Sequence, residues 1–207
     1  MPSSSEVIFT LRLAGLGAAY QALSEYRLVL TIDPRRPEVH YRIGRTLLNR
    51  YHQSQSAQDL ADAMTEFQEE LNVNPANANA AYELAEMHRS AGQLDQALPF
   101  FQMAIDHYPD FQEAQVGLAA TLMAQQKPAE ALPHLQKAAS LNPTDEVAWY
   151  RLSQAQRALG QTAEQKKSLA EFQKLHSRNP NQGTQTRSLF SGDEVTRQTL
   201  DPAAAPQ

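Results

Sequence analysis

The 207-residue sequence contains no cysteine. This excludes disulfides, thiolate zinc sites, iron–sulfur clusters and cysteine nucleophiles. Long hydrophobic runs are also missing, since no stretch approaches the roughly 18 apolar residues that a membrane-spanning helix needs. The 18 lysines and arginines, against 23 acidic residues, form no cluster able to neutralise nucleic-acid phosphates. We therefore predict no membrane span and no nucleic-acid partner.

Motifs of catalytic and cofactor sites are absent as well. The six histidines do not pair with one another, or with a carboxylate, at the spacing of a metal site. No glycine-rich phosphate loop, nucleophile elbow or dinucleotide fingerprint occurs. We therefore expect no enzyme activity, no cofactor and no metal. The N-terminus lacks the basic region of a signal peptide, and so we expect a cytoplasmic protein.

Prolines recur along the chain at a fixed interval. Pro75, Pro109 and Pro143 are 34 residues apart, and Pro34 lies 41 residues before Pro75, which is one period plus seven. An apolar stretch repeats with them, because ALPFFQMAIDHYPD at 97–110 corresponds to ALPHLQKAASLNPT at 131–144. A repeat of this length is typical of stacked supersecondary units.

Each repeat predicts two amphipathic helices with a short polar break between them. The second helix of the third repeat has apolar residues at helical spacing, namely Leu94, Ala97, Leu98, Phe101, Ala104 and Ile105. Gly17, Gly92 and Gly160 are predicted to mark the break in the first, third and fifth repeats. Short side chains such as Ala97 and Ala104 would let the paired helices approach closely.

Two features depart from a simple helix pair. The second repeat has seven extra residues, and Ser56 followed by Asp59 predicts a helix start near Ala57 after a polar loop at 52–55. Pro99 and Pro133 fall just inside the second helices, where each removes one backbone hydrogen bond. We expect a slight bend at both prolines, with their rings on the outer face.

The repeats resemble the tetratricopeptide repeat (TPR) family. Residues that carry the resemblance are Leu84, Ala85, Gly92, Ala97, Phe101, Ala104 and Pro109 in the third repeat, and Leu118, Ala119, Ala131, Leu135, Ala138 and Pro143 in the fourth. The resemblance implies an all-α, right-handed superhelical solenoid of about five antiparallel helix-pair repeats. The expected repeat domain is 1–179, with repeats at about 3–36, 37–77, 78–111, 112–145 and 146–179. Residues 180–207, which are mostly polar, are predicted to be a disordered tail.

The same resemblance implies a binding groove lined by the first helix of each repeat, where family members typically hold extended peptides or helices. The fifth position of each repeat should face the groove, which places Val7, Tyr41, Tyr82, Val116 and Tyr150 there. Further groove positions hold Arg42, Arg45, Glu86, Arg89, Met123, Arg151, Gln154 and Arg157. The tyrosines would act as amphipathic anchors. The arginines favour an acidic or carboxylate-bearing peptide.

The sequence therefore predicts a non-enzymatic scaffold that binds an extended or helical segment of a partner protein. An accessory TPR domain of a larger enzyme, or of a secretion or assembly complex, is the alternative. Self-association through the outer face or an end repeat also stays open.

Overall fold

The computed structural model describes the backbone of residues 4–178 and the side chains of residues 17–178. The predicted tail at 180–207 lies outside the described residues. Within 4–178 the chain forms helices and no strand: α1 (Ser4–Ile32), α2 (Val39–Ser54), α3 (Ala57–Val73), α4 (Ala78–Ser90), α5 (Leu94–His107), α6 (Gln112–Ala124), α7 (Pro128–Leu141), α8 (Glu146–Ala158) and α9 (Thr162–Arg178). The chain divides between Gln125 and Gln126 into two compact parts.

The recurring prolines set the ends of four helices. Each of these helices ends two residues before its proline, at Ile32, Val73, His107 and Leu141. A proline has no backbone N–H for helix hydrogen bonding, and its ring pushes the preceding residue out of the helical region. Helices α5 and α7, the second helices of the third and fourth repeats, begin at Leu94 and Pro128. The all-α helix-pair fold is thus confirmed, whereas the exact repeat boundaries stay a prediction.

A left-handed residue recurs in the turn between the two helices of a pair. Gly92 and Gly160 have φ values of 73° and 72°, and Gln126 has a φ of 60° at the position 34 residues from each. Glycine reaches this conformation without the steric cost that a Cβ brings. The breaks predicted at Gly92 and Gly160 are therefore correct.

The break predicted at Gly17 is wrong. Gly17 occupies the same position of the repeat, but α1 continues through it as one helix of 29 residues. A single glycine costs a helix only about 1 kcal/mol relative to alanine. Ala18, Ala19 and Ala22 follow it, and these strong helix formers continue the helix. The first repeat, for which two helices were expected, is thus a single long helix.

The seven extra residues of the second repeat lengthen both of its helices. α2 has 16 residues and α3 has 17, against 13 and 14 in α4 and α5. The predicted helix start is correct, since Ser56 is the N-cap and its Oγ accepts a hydrogen bond from the Asp59 N–H at 3.4 Å. The predicted loop at 52–55 is wrong, because α2 continues to Ser54. Gln55 then closes the helix in a left-handed conformation, with its N–H donating to the Tyr51 carbonyl at 2.7 Å.

An ion pair fixes this lengthened end of the repeat. The Arg50 Nε donates to Asp59 Oδ2 at 2.7 Å, and a second Arg50 nitrogen contacts Oδ1. The Tyr20 ring of α1 lies 4.9 Å from the centre of the guanidinium group. Both side chains of the pair are largely buried. Paired contacts of this kind hold a guanidinium in one orientation. The contact between Arg50 and the Tyr20 ring connects the α2–α3 turn to α1.

We predict that the Asp59→Asn protein loses less stability on acidification than the unaltered protein does. The hydrogen bond from Arg50 lowers the pKa of the Asp59 carboxyl below its usual value of 3.8, against the opposing effect of burial. Because the folded pKa lies below the unfolded one, this contribution to stability is fully present above about pH 4 and is lost as the pH falls through the folded pKa. Melting temperatures of Asp59→Asn and of the exposed-site control Asp106→Asn, measured from pH 7 to pH 2.5, provide the test. An equal fall on acidification in both variants would contradict the prediction.

Pro99 and Pro133 lie inside α5 and α7, and both are solvent-exposed. The outward position of the two rings is therefore as predicted, and the bend stays a prediction. The inner faces of the helices are lined by small residues with no exposed surface, among them Ala81, Ala85, Ala97 and Ala104. Such short side chains allow close helix approach at the packing density of a protein interior.

Candidate functional site

The candidate site in the first compact part lies on helices α2 and α4. These are the first helices of the second and third repeats, and an ion pair between Arg45 of α2 and Glu83 of α4 brings them together. The Arg45 side chain is 44% exposed and that of Glu83 only 10%. Burial raises the pKa of the Glu83 carboxyl, and the nearby Arg45 charge opposes that rise. The positive partner of this pair is therefore the one that solvent and a ligand can reach.

A second ion pair lies one turn further along α4. Arg89 Nη2 donates to Glu86 Oε2 at 2.6 Å, and Arg89 Nε is 3.2 Å from both oxygens of the same carboxylate. These hydrogen bonds raise the pKa of the Arg89 guanidinium. The sequence placed both residues at groove positions, and the structure shows that they bind each other.

Helix α6 approaches this pair closely because Gly117 has no side chain. A Cβ at Gly117 would contact the ring of Phe101 and would lie 2.9 Å from Glu86 Oε1. Val116 and Met123, the groove residues predicted on α6, are half-buried. Val7 lies on α1, outside the residues whose side chains are described.

The tyrosines predicted to anchor a ligand are partly or fully buried in contacts between helices, and they differ in how much of the ring is exposed. Tyr41 and Tyr82 are half-buried, with ring centroids 5.9 Å from Phe67 and 6.2 Å from Phe101, on the second helix of the same repeat. Burial raises the pKa of both tyrosine hydroxyls. Aromatic pairs at such distances stabilise the contact between helices. Each of these tyrosines therefore keeps only part of its ring available to a ligand.

Tyr150, in the second compact part, does not fit the expected role of an exposed anchor. It is 8% exposed and lies 5.1 Å from Phe172 of α9. Phe172 occupies the position that Ala104 and Ala138 hold in the two preceding repeats. The large ring at a small-residue position covers Tyr150. The phenylalanine in place of alanine is visible in the sequence. The burial of Tyr150 that results from it depends on the distance between α8 and α9.

The remaining predicted groove residues differ in exposure. Arg42 lies on α2 with its side chain 57% exposed, 3.6 Å from the Glu38 carboxylate. On α8, Arg151 and Gln154 are half-buried and Arg157 is exposed. The predicted groove residues on α2 and α4 of the first compact part are called the α2–α4 face below, and they are Tyr41, Arg42, Arg45, Tyr82, Glu86 and Arg89.

Sequence reasoning missed Glu83 as a partner of the predicted arginines. The two residues of the Arg45–Glu83 pair are 38 positions apart, which is the 41-residue length of the second repeat less three residues, or about one helical turn. In a stacked array this spacing joins equivalent helices of neighbouring repeats, and so the periodicity contains the signal. Because Arg45 and Arg89 are both ion-paired, the free positive charge of the face is smaller than its number of arginines indicates.

The described residues include neither a candidate metal site nor a candidate membrane span. Within them, no group of three or more histidine, aspartate or glutamate side chains is placed to hold a metal ion. None of the helices described is both long and apolar enough to cross a membrane.

Two sequence models of the tetratricopeptide repeat family match the chain, one over residues 55–112 and the other over residues 122–176. Together these matches cover more than half of the 207 residues. The chain belongs to the tetratricopeptide repeat family. The matched segments contain helices α3 to α5, α7 and α8 and most of α9, together with Gly92 and Gly160. A comparison with curated protein sequences gave no match.

Solved TPR structures share this fold at low sequence identity. A crystal structure of MamA is 19% identical, covers 79% of this chain and 92% of its own, and has a TM-score of 0.66. MamA residues 41-end from Desulfovibrio magneticus RS-1 is 20% identical over 88% of this chain and 98% of its own, with a TM-score of 0.62. YrrB, described as a TPR protein with an unusual peptide-binding site, is 18% identical over 79% and 80%, with a TM-score of 0.63. These likenesses show the TPR fold.

Proposed function

We propose that this TPR protein is a non-enzymatic scaffold whose α2–α4 face binds an extended or helical segment of a partner protein. The observation that carries the proposal is the exposure of Arg42 and the accessible side of Arg45, next to the partly open rings of Tyr41 and Tyr82. Arginine and tyrosine are enriched among the residues that dominate binding energy at protein interfaces. The description of YrrB as peptide-binding agrees with this use of a TPR surface.

The charges of the face support an acidic segment with a defined direction. Glu83 is the buried member of its pair, so that the α2 end of the face presents the two guanidinium groups of Arg42 and Arg45 against one exposed carboxylate, that of Glu38. Glu113 of α6 is exposed, which makes the opposite end more negative. A peptide would therefore place its acidic side chains over α2 and its apolar side chains against Tyr41 and Tyr82. Charge complementarity of this kind sets orientation and association rate more than total affinity.

We predict that Arg42→Glu weakens peptide binding about tenfold, which corresponds to about 1.4 kcal/mol. A displayed library of random peptides is selected on the immobilised protein, and individual binders are titrated by fluorescence anisotropy. The matched control is Arg27→Glu, the same change at an exposed arginine of α1 outside the face. Selected peptides should be enriched in aspartate and glutamate, and their binding should weaken as salt rises.

The proposal fails if the binders tolerate Arg42→Glu as well as they tolerate Arg27→Glu. Circular dichroism melting of both variants checks that the helices are retained. The alternative, an accessory TPR domain of a larger enzyme or of a secretion or assembly complex, would use the same face. It differs in what the protein is joined to or assembled with, and no described residue favours it.

A further inference from the structure

A second surface, separate from the α2–α4 face, lies in the second compact part. Helices α7, α8 and α9 line a groove of about 810 Å³ that is open to solvent. Its floor is apolar, with Ala139 of α7 and Leu152 of α8, and Trp149 forms one wall. The indole Nε1 of Trp149 donates to the Pro143 carbonyl at 2.9 Å, which holds the ring in place. We call this surface the α7–α9 groove.

One of the residues that line the groove carries a buried polar atom without a hydrogen-bond partner among the described residues. Gln156 is only 5% exposed, and its Oε1 accepts no hydrogen bond from any of the described residues. A buried acceptor without a donor is unfavourable, and so native structures usually satisfy such groups. Gln156 therefore adds a polar side chain to the lining of a groove whose floor is apolar.

The charges at the rim narrow the choice of segment. α9 contributes Glu164, Lys167 and Glu171, which follow one another at helical spacing. Glu171 already binds Lys174 Nζ at 2.9 Å. A complementary segment would have apolar side chains for the floor, a basic residue for Glu164 and acidic residues for Lys167. Residues 187–194 of this chain read RSLFSGDE, with the apolar pair Leu189–Phe190 between Arg187 and the acidic pair Asp193–Glu194. Phe190 is the single aromatic residue of the sequence after Arg178.

We propose that the α7–α9 groove binds the segment Arg187–Glu194 of the same chain. The connection is long enough. α9 ends at Arg178, which is about 15 Å along the helix from Ser168 in the groove. The 11 residues from Arg178 to Leu189 span up to about 36 Å when extended. A tethered segment also has a high effective concentration, so that weak contacts are enough for binding.

Trp149 is the only tryptophan of the protein, and its fluorescence therefore reports on the groove directly. In the full-length chain, the double change Leu189→Ala/Phe190→Ala should shift Trp149 emission to longer wavelength and increase its quenching by acrylamide. The matched control is Val195→Ala/Leu200→Ala, which shortens two apolar side chains beyond the proposed segment. The control should keep the emission and quenching of the unaltered protein.

A synthetic peptide of residues 185–196, added to the Leu189→Ala/Phe190→Ala protein, should reverse the shift in a saturable way. Three results would overturn the proposal: an unchanged spectrum in that variant, an equal change in the control, and a failure of the peptide to reverse the shift. A signal of the unaltered protein that changes on dilution would also overturn it, because the segment would then come from a second copy. Arg42→Glu leaves this readout unchanged, so that the two proposals fail independently.

Discussion

Replacing Phe101 with alanine is expected to lower the free energy of unfolding by about 3–5 kcal/mol, the usual cost of truncating a buried phenylalanine. Phe101 has no exposed surface, packs 6.2 Å from Tyr82 between ring centroids, and lies against the backbone of Gly117. Its loss opens a cavity where α4, α5 and α6 meet. Chemical denaturation followed by circular dichroism gives the change in free energy.

Phe100→Ala is the control for this change. Phe100 is the neighbouring residue on α5, is half-buried, and stacks on His88 with ring centroids 5.6 Å apart. Phe100→Ala should therefore lower the free energy of unfolding clearly less than Phe101→Ala does. Equal losses in the two variants would show that the helices do not pack as described.

Replacing Glu70 with glutamine is expected to destabilise the protein by about 2–3 kcal/mol, within the range for losing hydrogen bonds to a buried charged group. Glu70 is fully buried. Its Oε1 accepts hydrogen bonds from the Glu38 N–H at 2.8 Å and from Asn77 Nδ2 at 2.9 Å, and its Oε2 accepts from the Tyr41 N–H at 3.2 Å. A glutamine amide nitrogen would face at least one of these donors.

The three hydrogen bonds give Glu70 a specific structural role. Two of its donors are backbone N–H groups at the N-terminus of α2, which no side chain of α2 itself caps. Hydrogen exchange should therefore become faster in the first turn of α2 in Glu70→Gln. Glu69→Gln, the same change at the exposed neighbour, is the control and should change neither stability nor exchange. A Glu70→Gln protein as stable as the control would contradict the role assigned to this carboxylate.

Much of the fold could be predicted from the sequence because its signals are local. The helix ends before Pro34, Pro75, Pro109 and Pro143 follow from the missing N–H of proline. The left-handed turns at Gly92 and Gly160 follow from the freedom of glycine. The continuous α1 was not predicted, because glycine permits a turn at position 17 without requiring one, and the alanines that follow it favour helix.

The candidate site was less predictable because its properties depend on contacts between helices. The burial of Tyr150 results from Phe172, 22 residues later, and depends on the spacing of α8 and α9. The charge of the face depends on which arginines meet glutamates, as Arg45 meets Glu83. Residue type and position in the repeat identify the surface. They do not give the exposure of each side chain on it.

Hydrogen exchange on the complex with a selected peptide is the most direct measurement of the central claim, that the α2–α4 face binds a partner segment. Peptide binding should slow backbone exchange in α2 and α4, with the strongest protection around Tyr41–Arg45 and Tyr82–Arg89. Helices α3 and α5, the second helices of the same repeats, should change little. Protection confined to α3 and α5, with α2 and α4 unchanged, would contradict the account.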